Sequence, residues 1–149
     1  MDGLDALNQH LRGMPPVAAM QVRAVAFDGD VLQLQAPLAA NVNDKGCAFG
    51  GSLSGLMTLA GWGLLTLKLE SAGLPAEVYV ADSHVRYLKP LYSDLHGEAR
   101  LEPGLDWDAF LRSFRERGRA RATVLAALRD PDGAIVAELS GRFAALRPA

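Results

Sequence analysis

The sequence predicts an α+β domain in which an antiparallel sheet of about six strands wraps around one central apolar helix. Three observations predict it. From Ser52 to Ser71 the apolar residues point in nearly every direction around a helical axis, so that helix must be enclosed. The segments on either side alternate apolar and polar residues with the period of half-buried strands. Turn-forming clusters, Asp28-Gly29-Asp30 and Asp130-Pro131-Asp132-Gly133, join pairs of these segments as hairpins.

Taken in order, Leu4, Leu7 and Leu11 share one face of a short helix closed by Gly13 and Pro15-Pro16, expected to pack as a lid or flank. The run AAMQVRAVAFDGDVLQLQAPL reads as two extended segments, with Leu32 and Leu34 on one face and Gln33 and Gln35 on the other. A polar loop over 37–50 then leads into the central helix, whose apolar residues include Leu53, Leu56, Met57, Leu59, Trp62, Leu64, Leu65, Leu67 and Leu69. AEVYVADSHVRYLKP is a long strand ending at Pro90. DLHGEARLE is another, placing Leu95, Gly97, Ala99 and Leu101 opposite His96, Glu98, Arg100 and Glu102. Trp107, Phe110, Leu111 and Phe114 form one helical stripe, with Asp106 as N-cap and Gly118 just past the end. RARATVLAALRD and AIVAELSGRFAAL make the closing hairpin.

The 149 residues form a single domain, 1–149, and half of them are hydrophobic, enough for a substantial core. A net charge of -2 without a clustered basic excess argues against a nucleic-acid partner. Cys47 stands alone, so neither an internal disulfide nor a zinc site of several thiolates is expected. The N-terminus has acids and no long apolar core, unlike a secretory signal, which points to a cytoplasmic protein. A membrane span is the rival reading of Ala48 to Leu67, which is uncharged and contains Gly51-x-x-x-Gly55. Five glycines, several Ser and Thr, the lack of a flanking basic cluster or aromatic belt and the strand-like flanks weigh against it.

NVNDKGCAFGGSLSGLMTLAGWGLL, followed by VYVADSHVRYLKPLYSDLHGEARL, resembles the hotdog-fold thioesterases related to the YiiD C-terminal domain. The resemblance runs from about Val17 to Leu146. It rests on the Asn-x-Asn-x-x-Gly loop, the Gly-Gly helix entrance and the Arg-Tyr-Leu-Lys-Pro strand end. It implies a homodimer with sheets joined edge to edge, or tetramers built from it, acting on acyl groups carried by coenzyme A or acyl carrier protein. No metal or cofactor is implied beyond the coenzyme A of the substrate. The N-terminus of the central helix, at Gly50-Gly51-Ser52, is where such enzymes hold the thioester carbonyl.

Thioester hydrolysis needs a polarised carbonyl, a placed water and an acceptor for its proton. Gly50 and Gly51 fit the first role, since a helix N-terminus offers unpaired N–H donors and glycine lets a substrate approach closely. A tight loop-to-helix turn would use the same pair. Asn43 is a candidate for orienting water or the thioester oxygen, or for an Asx-turn. Hotdog thioesterases resembling the phenylacetate-pathway enzyme carry His-Gly-Gly at the entrance and a carboxylate about nine positions later. Here Phe49 and Thr58 stand in those places, and Thr58 reads as a hydroxyl bonded to its own helix.

Replacement acid-base groups are sought in ADSHVR. Asp82, His84 and Arg86 alternate and so share a strand face, taken to be that of Val78 and Val80, with Ser83 opposite. A structural charge cluster is the alternative. Cys47 is expected to line the pocket rather than act as a nucleophile. Arg86, Lys89, Arg119 and Arg121 are candidates for the phosphates of coenzyme A, or else solvated strand faces. Phe49, Met57 and Trp62 line the core or an acyl pocket. A hydratase or dehydratase acting on acyl thioesters and a non-catalytic acyl-CoA sensor are the alternative functions.

Overall fold

A six-stranded antiparallel sheet wraps the central helix in the computed structural model, which describes residues 2–149. The elements run α1 Gly3–Gly13, α2 Pro15–Met20, β1 Arg23–Phe27, β2 Leu32–Ala36, a 3-10 turn Leu38–Ala40, α3 Gly50–Ser71, β3 Glu77–Tyr87, β4 Leu95–Leu101, α4 Trp107–Arg117, β5 Arg119–Arg129 and β6 Ile135–Leu146. The strand order is β1-β2-β4-β5-β6-β3, which leaves β1 and β3 as the two edges. This is the hotdog fold that the sequence pattern implies.

The helix α3 is seated by side chains from all around it. Leu56, Met57, Ala60, Leu64 and Leu65 are fully buried, while Gly51, Ser54, Thr58 and Trp62 form a margin that stays exposed or half-buried. Each fully buried leucine contributes about 1.5–3 kcal/mol of transfer free energy, so the helix is held by its seat rather than by its own propensity. Leu56 presses on the bare Cα of Gly97 in β4, and the Phe143 ring of β6 lies where a Cβ on Gly61 would stand, 2.6 Å away. The sheet comes this close because both positions are glycine.

The two edges are treated differently. Along β1, the Asn8 side chain of α1 mimics a strand: its Nδ2 donates to Ala24 O at 2.9 Å and its Oδ1 accepts from Ala24 N at 2.8 Å. Leu7 and Leu11 of the same helix are buried, so α1 is a flank that covers this edge. The edge strand β3 has no such cover among the described residues, and Tyr79, Val80 and Tyr87 are all exposed.

Two boundaries differ from expectation. Residues 18–20, read as the start of a strand, belong to α2, because Pro15 and Pro16 occupy a first helical turn where no N–H is needed and φ is already helical. The central helix begins at Gly50, not near Ser52. Asp106 caps α4 by accepting from Ala109 N at 3.0 Å, and Gly118 ends it in the left-handed region, as the pattern indicated.

Gly97→Ala tests the seat. The new methyl meets Leu56, which is fully buried, so the variant is expected to lose about 1–3 kcal/mol of unfolding free energy in urea titration. Combined with Leu56→Ala, which empties the space the methyl enters, the total loss should fall short of the sum of the two single losses. Strictly additive effects would show that the two positions do not share one space.

Candidate active site

The entrance to α3 is built by a short loop that folds on itself. Val42 and Ala48 form an isolated antiparallel bridge, and Asn43 N donates to Cys47 O at 2.8 Å. The Asn43 side chain makes the Asx-turn: Oδ1 accepts from Lys45 N at 2.8 Å and from Cys47 N at 3.2 Å, while Nδ2 points at Cys47 Sγ, 3.2 Å away. Gly46, at φ +83, supplies the left-handed residue that this turn requires. Asn43 thus shapes the loop, and Cys47 is buried beside it.

Asn41 anchors the loop to its neighbours. It is only 3% exposed, its Nδ2 donates to Met20 O at 2.9 Å and Pro37 O at 2.8 Å, and its backbone O accepts from Phe49 N at 2.7 Å. Its Oδ1 is buried with no partner among the described residues. Ala48 N donates to Leu91 O at 2.8 Å, so the loop is held from both sides just before the helix starts.

At the start of α3, Ser52 N and Leu53 N converge on Phe49 O at 2.9 and 3.1 Å. The N–H groups of Gly50 and Gly51 find no acceptor among the described residues, and no side chain caps the helix. These are the orphan donors of a helix N-terminus, with the positive end of a 22-residue helix dipole behind them. The two glycines serve different ends. The Phe49 ring folds over Gly51 and takes the place of a Cβ there, whereas around Gly50 the nearest atoms are those of the Tyr87 ring, 3.7 Å from a Cβ position. Gly50 is half-buried beside that ring and Gly51 is exposed.

Strand β3 overturns one expectation. Its pairing with β6 runs Val80 to Phe143 and then Asp82 to Arg142, so a bulge at Ala81 shifts the register by one residue. Val78 and Val80 pair with the inward residues Ala145 and Phe143, but Asp82, His84 and Arg86 pair with Arg142, Ser140 and Glu138 of the outer face. The three polar residues share a face, as read, yet not that of Val78 and Val80. They lie on the side of the sheet away from α3, and the inward face after the bulge belongs to Ser83, Val85 and Tyr87.

On that outer face the charged groups pair with each other. Asp82 is held by the Arg142 guanidinium, with Nε 2.9 Å from Oδ1. These hydrogen bonds, and then the charges of Arg142 and Arg121, keep the Asp82 carboxyl below the ordinary carboxylate range, against an upward push from desolvation. Arg86 pairs with Glu138 at 3.2 Å, and Lys89 pairs with Asp130, tying the end of β3 to the β5–β6 turn. His84 and Arg86 border a hollow of about 380 Å³ on this face. Arg119 and Arg121 point outward on β5 with no carboxylate within 4.0 Å among the described residues.

Of the residues expected at the site, the structure gathers Asn43, Cys47, Phe49, Gly50 and Gly51 at the helix entrance. Thr58 lies two turns further on, its hydroxyl donating to Ser54 O at 2.8 Å. Tyr87, against Gly50, was not singled out in the sequence. Its signal is the parity of the valines in β3, even-numbered at Val78 and Val80 and odd-numbered at Val85, a parity that Tyr87 shares.

A helix with free N-terminal amides inside a curled antiparallel sheet defines a hotdog protein of the thioesterase class. The family model described as "Putative thioesterase (yiiD_Cterm)" matches residues 4–147, and the chain belongs to that family. Among solved structures, it is similar to a Chlorobaculum tepidum protein of unknown function, with 27% identity over 97% of this chain and 94% of that one and a TM-score of 0.90. A Shewanella oneidensis protein described as a "putative thioesterase" shares 30% identity over 98% of both chains, with a TM-score of 0.86. A Pseudomonas aeruginosa protein described as a probable thioesterase shares 25%, over 95% of this chain and 94% of that one, at a TM-score of 0.79. No helix among the described residues is long and apolar enough to cross a membrane.

The Asp82–Arg142 pair makes a pH prediction. A carboxyl held below its unfolded value contributes stability above about pH 4, and that contribution is lost as the pH falls through the lowered folded value. An NMR titration of the Asp82 carboxyl should show a midpoint below the ordinary range, returning upward in Arg142→Gln. A midpoint unmoved by that substitution would contradict the pairing.

Proposed function

We propose that the chain hydrolyses acyl thioesters carried on coenzyme A or acyl carrier protein, using the α3 entrance and no cofactor of its own. The observation that carries this reading is the pair of unpaired N–H groups at Gly50 and Gly51, with the Tyr87 ring beside Gly50. The thioester oxygen accepts from these amides, whose fixed orientation stabilises the charge that develops as water adds to the carbonyl carbon. The C–S bond then breaks, giving a carboxylic acid and a thiol. Tyr87 is the polar side chain against the entrance and takes the water-orienting role that the sequence assigned to Asp82 and His84, which sit on the other face of the sheet. Asn43 and Asn41 act through the loop, by holding Phe49 and the glycines in place.

The working form in this reading is a dimer joined along β3. An eleven-residue edge strand exposes Tyr79, Val80 and Tyr87, and Phe49, Leu88 and Tyr92 are also exposed, an apolar edge that a monomer would have to protect. Arg121 is level with Tyr79 across β6, about 26 Å along the strand from Tyr87, too far to serve the entrance of its own chain. An antiparallel copy added to β3 brings its own Arg119 and Arg121 to that end of the sheet, where they can meet the phosphates of a coenzyme A substrate. A cytoplasmic location fits such substrates.

The test of the chemistry is thiol release from acyl-CoAs by wild type and Gly50→Pro. Proline suits a first helical position, and Phe49 already has the extended φ of -64° and ψ of 131° that a following proline demands. The substitution therefore deletes one N–H while keeping the helix, and kcat is expected to fall about 10²–10³-fold with the fold unchanged by circular dichroism. Unaltered kcat would remove this amide from the mechanism. Acyl-CoA binding with no turnover in wild type would instead select a sensing module, which the lack of a carboxylate or histidine at the entrance favours.

The dimer is tested by sedimentation of Val80→Lys. A charge on this apolar, 43% exposed edge residue is expected to convert a dimeric wild type into monomers without unfolding it. A dimer that survives the substitution would place the interface elsewhere.

A further inference from the structure

We infer that the hollow of about 380 Å³ on the outer face of the sheet is a binding site for an organic monocarboxylate with a compact apolar body. The hollow follows from the strand register. Two rows of outward residues cross β4, β5, β6 and β3: Glu98, Ala127, Glu138 and Arg86 in one, Arg100, Leu125, Ser140 and His84 in the next. Ala127, Leu125 and Ser140 stand in the middle, and longer side chains stand around them. The space left above the short residues has the size of a small-molecule site. Leu125 and Ala127 are half-buried and make its floor apolar. A copy added along β3 would extend the sheet in its own plane and leave this face open.

The charges on the rim do not cancel. Three guanidiniums, those of Arg86, Arg100 and Arg129, face two carboxylates, Glu98 and Glu138. Arg86 pairs with Glu138 at 3.2 Å. Arg129 donates from Nε to Glu98 Oε1 at 3.2 Å and from Nη1 to Gly133 O at 3.0 Å. Arg100 is left with the same Glu98 oxygen at 3.6 Å, too long for a hydrogen bond. The Asp28 carboxyl feels the Arg100 charge, but it lies beyond pairing distance and accepts from Val31 N at 2.8 Å and Asp30 N at 2.9 Å. The Arg100 fork, with its side chain half-exposed, therefore has no hydrogen-bond acceptor among the described residues.

One free guanidinium matches one carboxylate, which it can hold through two parallel N–H groups. A phosphate dianion would call for a second unpaired guanidinium, and Arg86 and Arg129 are both engaged. The floor of Leu125 and Ala127 accepts carbon and offers nothing to a polar body. From Arg100 across Leu125 to Ser140 is two strand spacings, about 10 Å. An extended chain advances about 1.2 Å per atom, since a residue of three backbone atoms spans about 3.5 Å, so about eight carbons cover that distance. The site lies on the opposite side of the sheet from the α3 entrance and does not depend on it. Its link to the reaction rests on the thioester reading: the acid that hydrolysis sets free has this same chemistry, and the outer face would hold it away from the entrance.

An NMR titration with octanoate, following the methyl groups of Leu125 and Ala127, locates the acid without any substrate. Octanoate should shift those methyls saturably. Acetate, which lacks the body, and octanol, which lacks the charge, should each bind about tenfold more weakly or worse. Arg100→Gln, at an exposed position, should weaken octanoate about tenfold or more, and Arg112→Gln, at an exposed position of α4, should leave it unchanged. Octyl phosphate binding more tightly than octanoate would make the hollow a phosphate site and overturn the inference. Shifts confined to Gly50, Gly51 and Tyr87 would put the acid at the entrance and overturn it too. So would a sedimentation coefficient that falls in Arg100→Gln, because another copy would then cover this face. Octanoate shifting the Leu125 and Ala127 methyls while no thioester is turned over leaves the site standing and removes the hydrolase reading. Turnover without those shifts does the reverse.

Discussion

A helix that is apolar on almost every side has to be wrapped, and in this chain the wrapping of α3 dictates most of what surrounds it. The sheet curls because Leu56, Ala60, Leu64 and Leu65 require a wall on several sides at once. It can curl closely because Gly97 and Gly61 remove the Cβ atoms that would hold strand and helix apart. A curled open sheet has two edges. The one at β1 is covered by α1, with Asn8 satisfying the backbone of Ala24 as a neighbouring strand would. The one at β3 stays bare, and it is there that the helix margin and the helix entrance come closest to solvent. The uncovered edge and the reactive entrance are thus two consequences of a single packing problem.

Much of this was legible in the sequence because period and turn chemistry are local. The alternation in β2 and β4, the hairpin turns, and the caps of α4 all depend on residues within a few positions of one another. The identity of the enclosed helix was legible for the same reason. The face of Asp82, His84 and Arg86 was not, because strict alternation was carried through Ala81. A single inserted residue inverts every side chain that follows it. The valines of β3 do record the slip, Val78 and Val80 being even-numbered before the bulge and Val85 odd-numbered after it. Three polar residues in alternation mask the parity of Val85 and Tyr87, which carries the information.

The entrance shows a different limit. That Gly50-Gly51 marks a helix start with available donors follows from the sequence, but the division of labour between the two glycines does not. Gly51 is required by the Phe49 ring, a contact between near neighbours that depends on a rotamer, whereas Gly50 faces Tyr87 from a strand far along the chain. Asn43 and Asn41 are alike in sequence and opposite in use: one closes a turn on the loop itself, the other reaches from the loop to α2 and to Pro37. Burial decides between them, and burial is a property of the whole fold.

An entrance without histidine or carboxylate is less of an obstacle to thioester chemistry than to ester or amide chemistry. A thiol has a pKa near 8.5, so the departing group leaves as a weakly basic thiolate and does not need a proton delivered to it. The remaining burden falls on the addition of water, where the charge appears on the carbonyl oxygen, and in the proposed reaction that is the atom that accepts from the two free amides. Donors already held in place by the helix need no reorganisation as that charge forms, which is where electrostatic stabilisation is worth most.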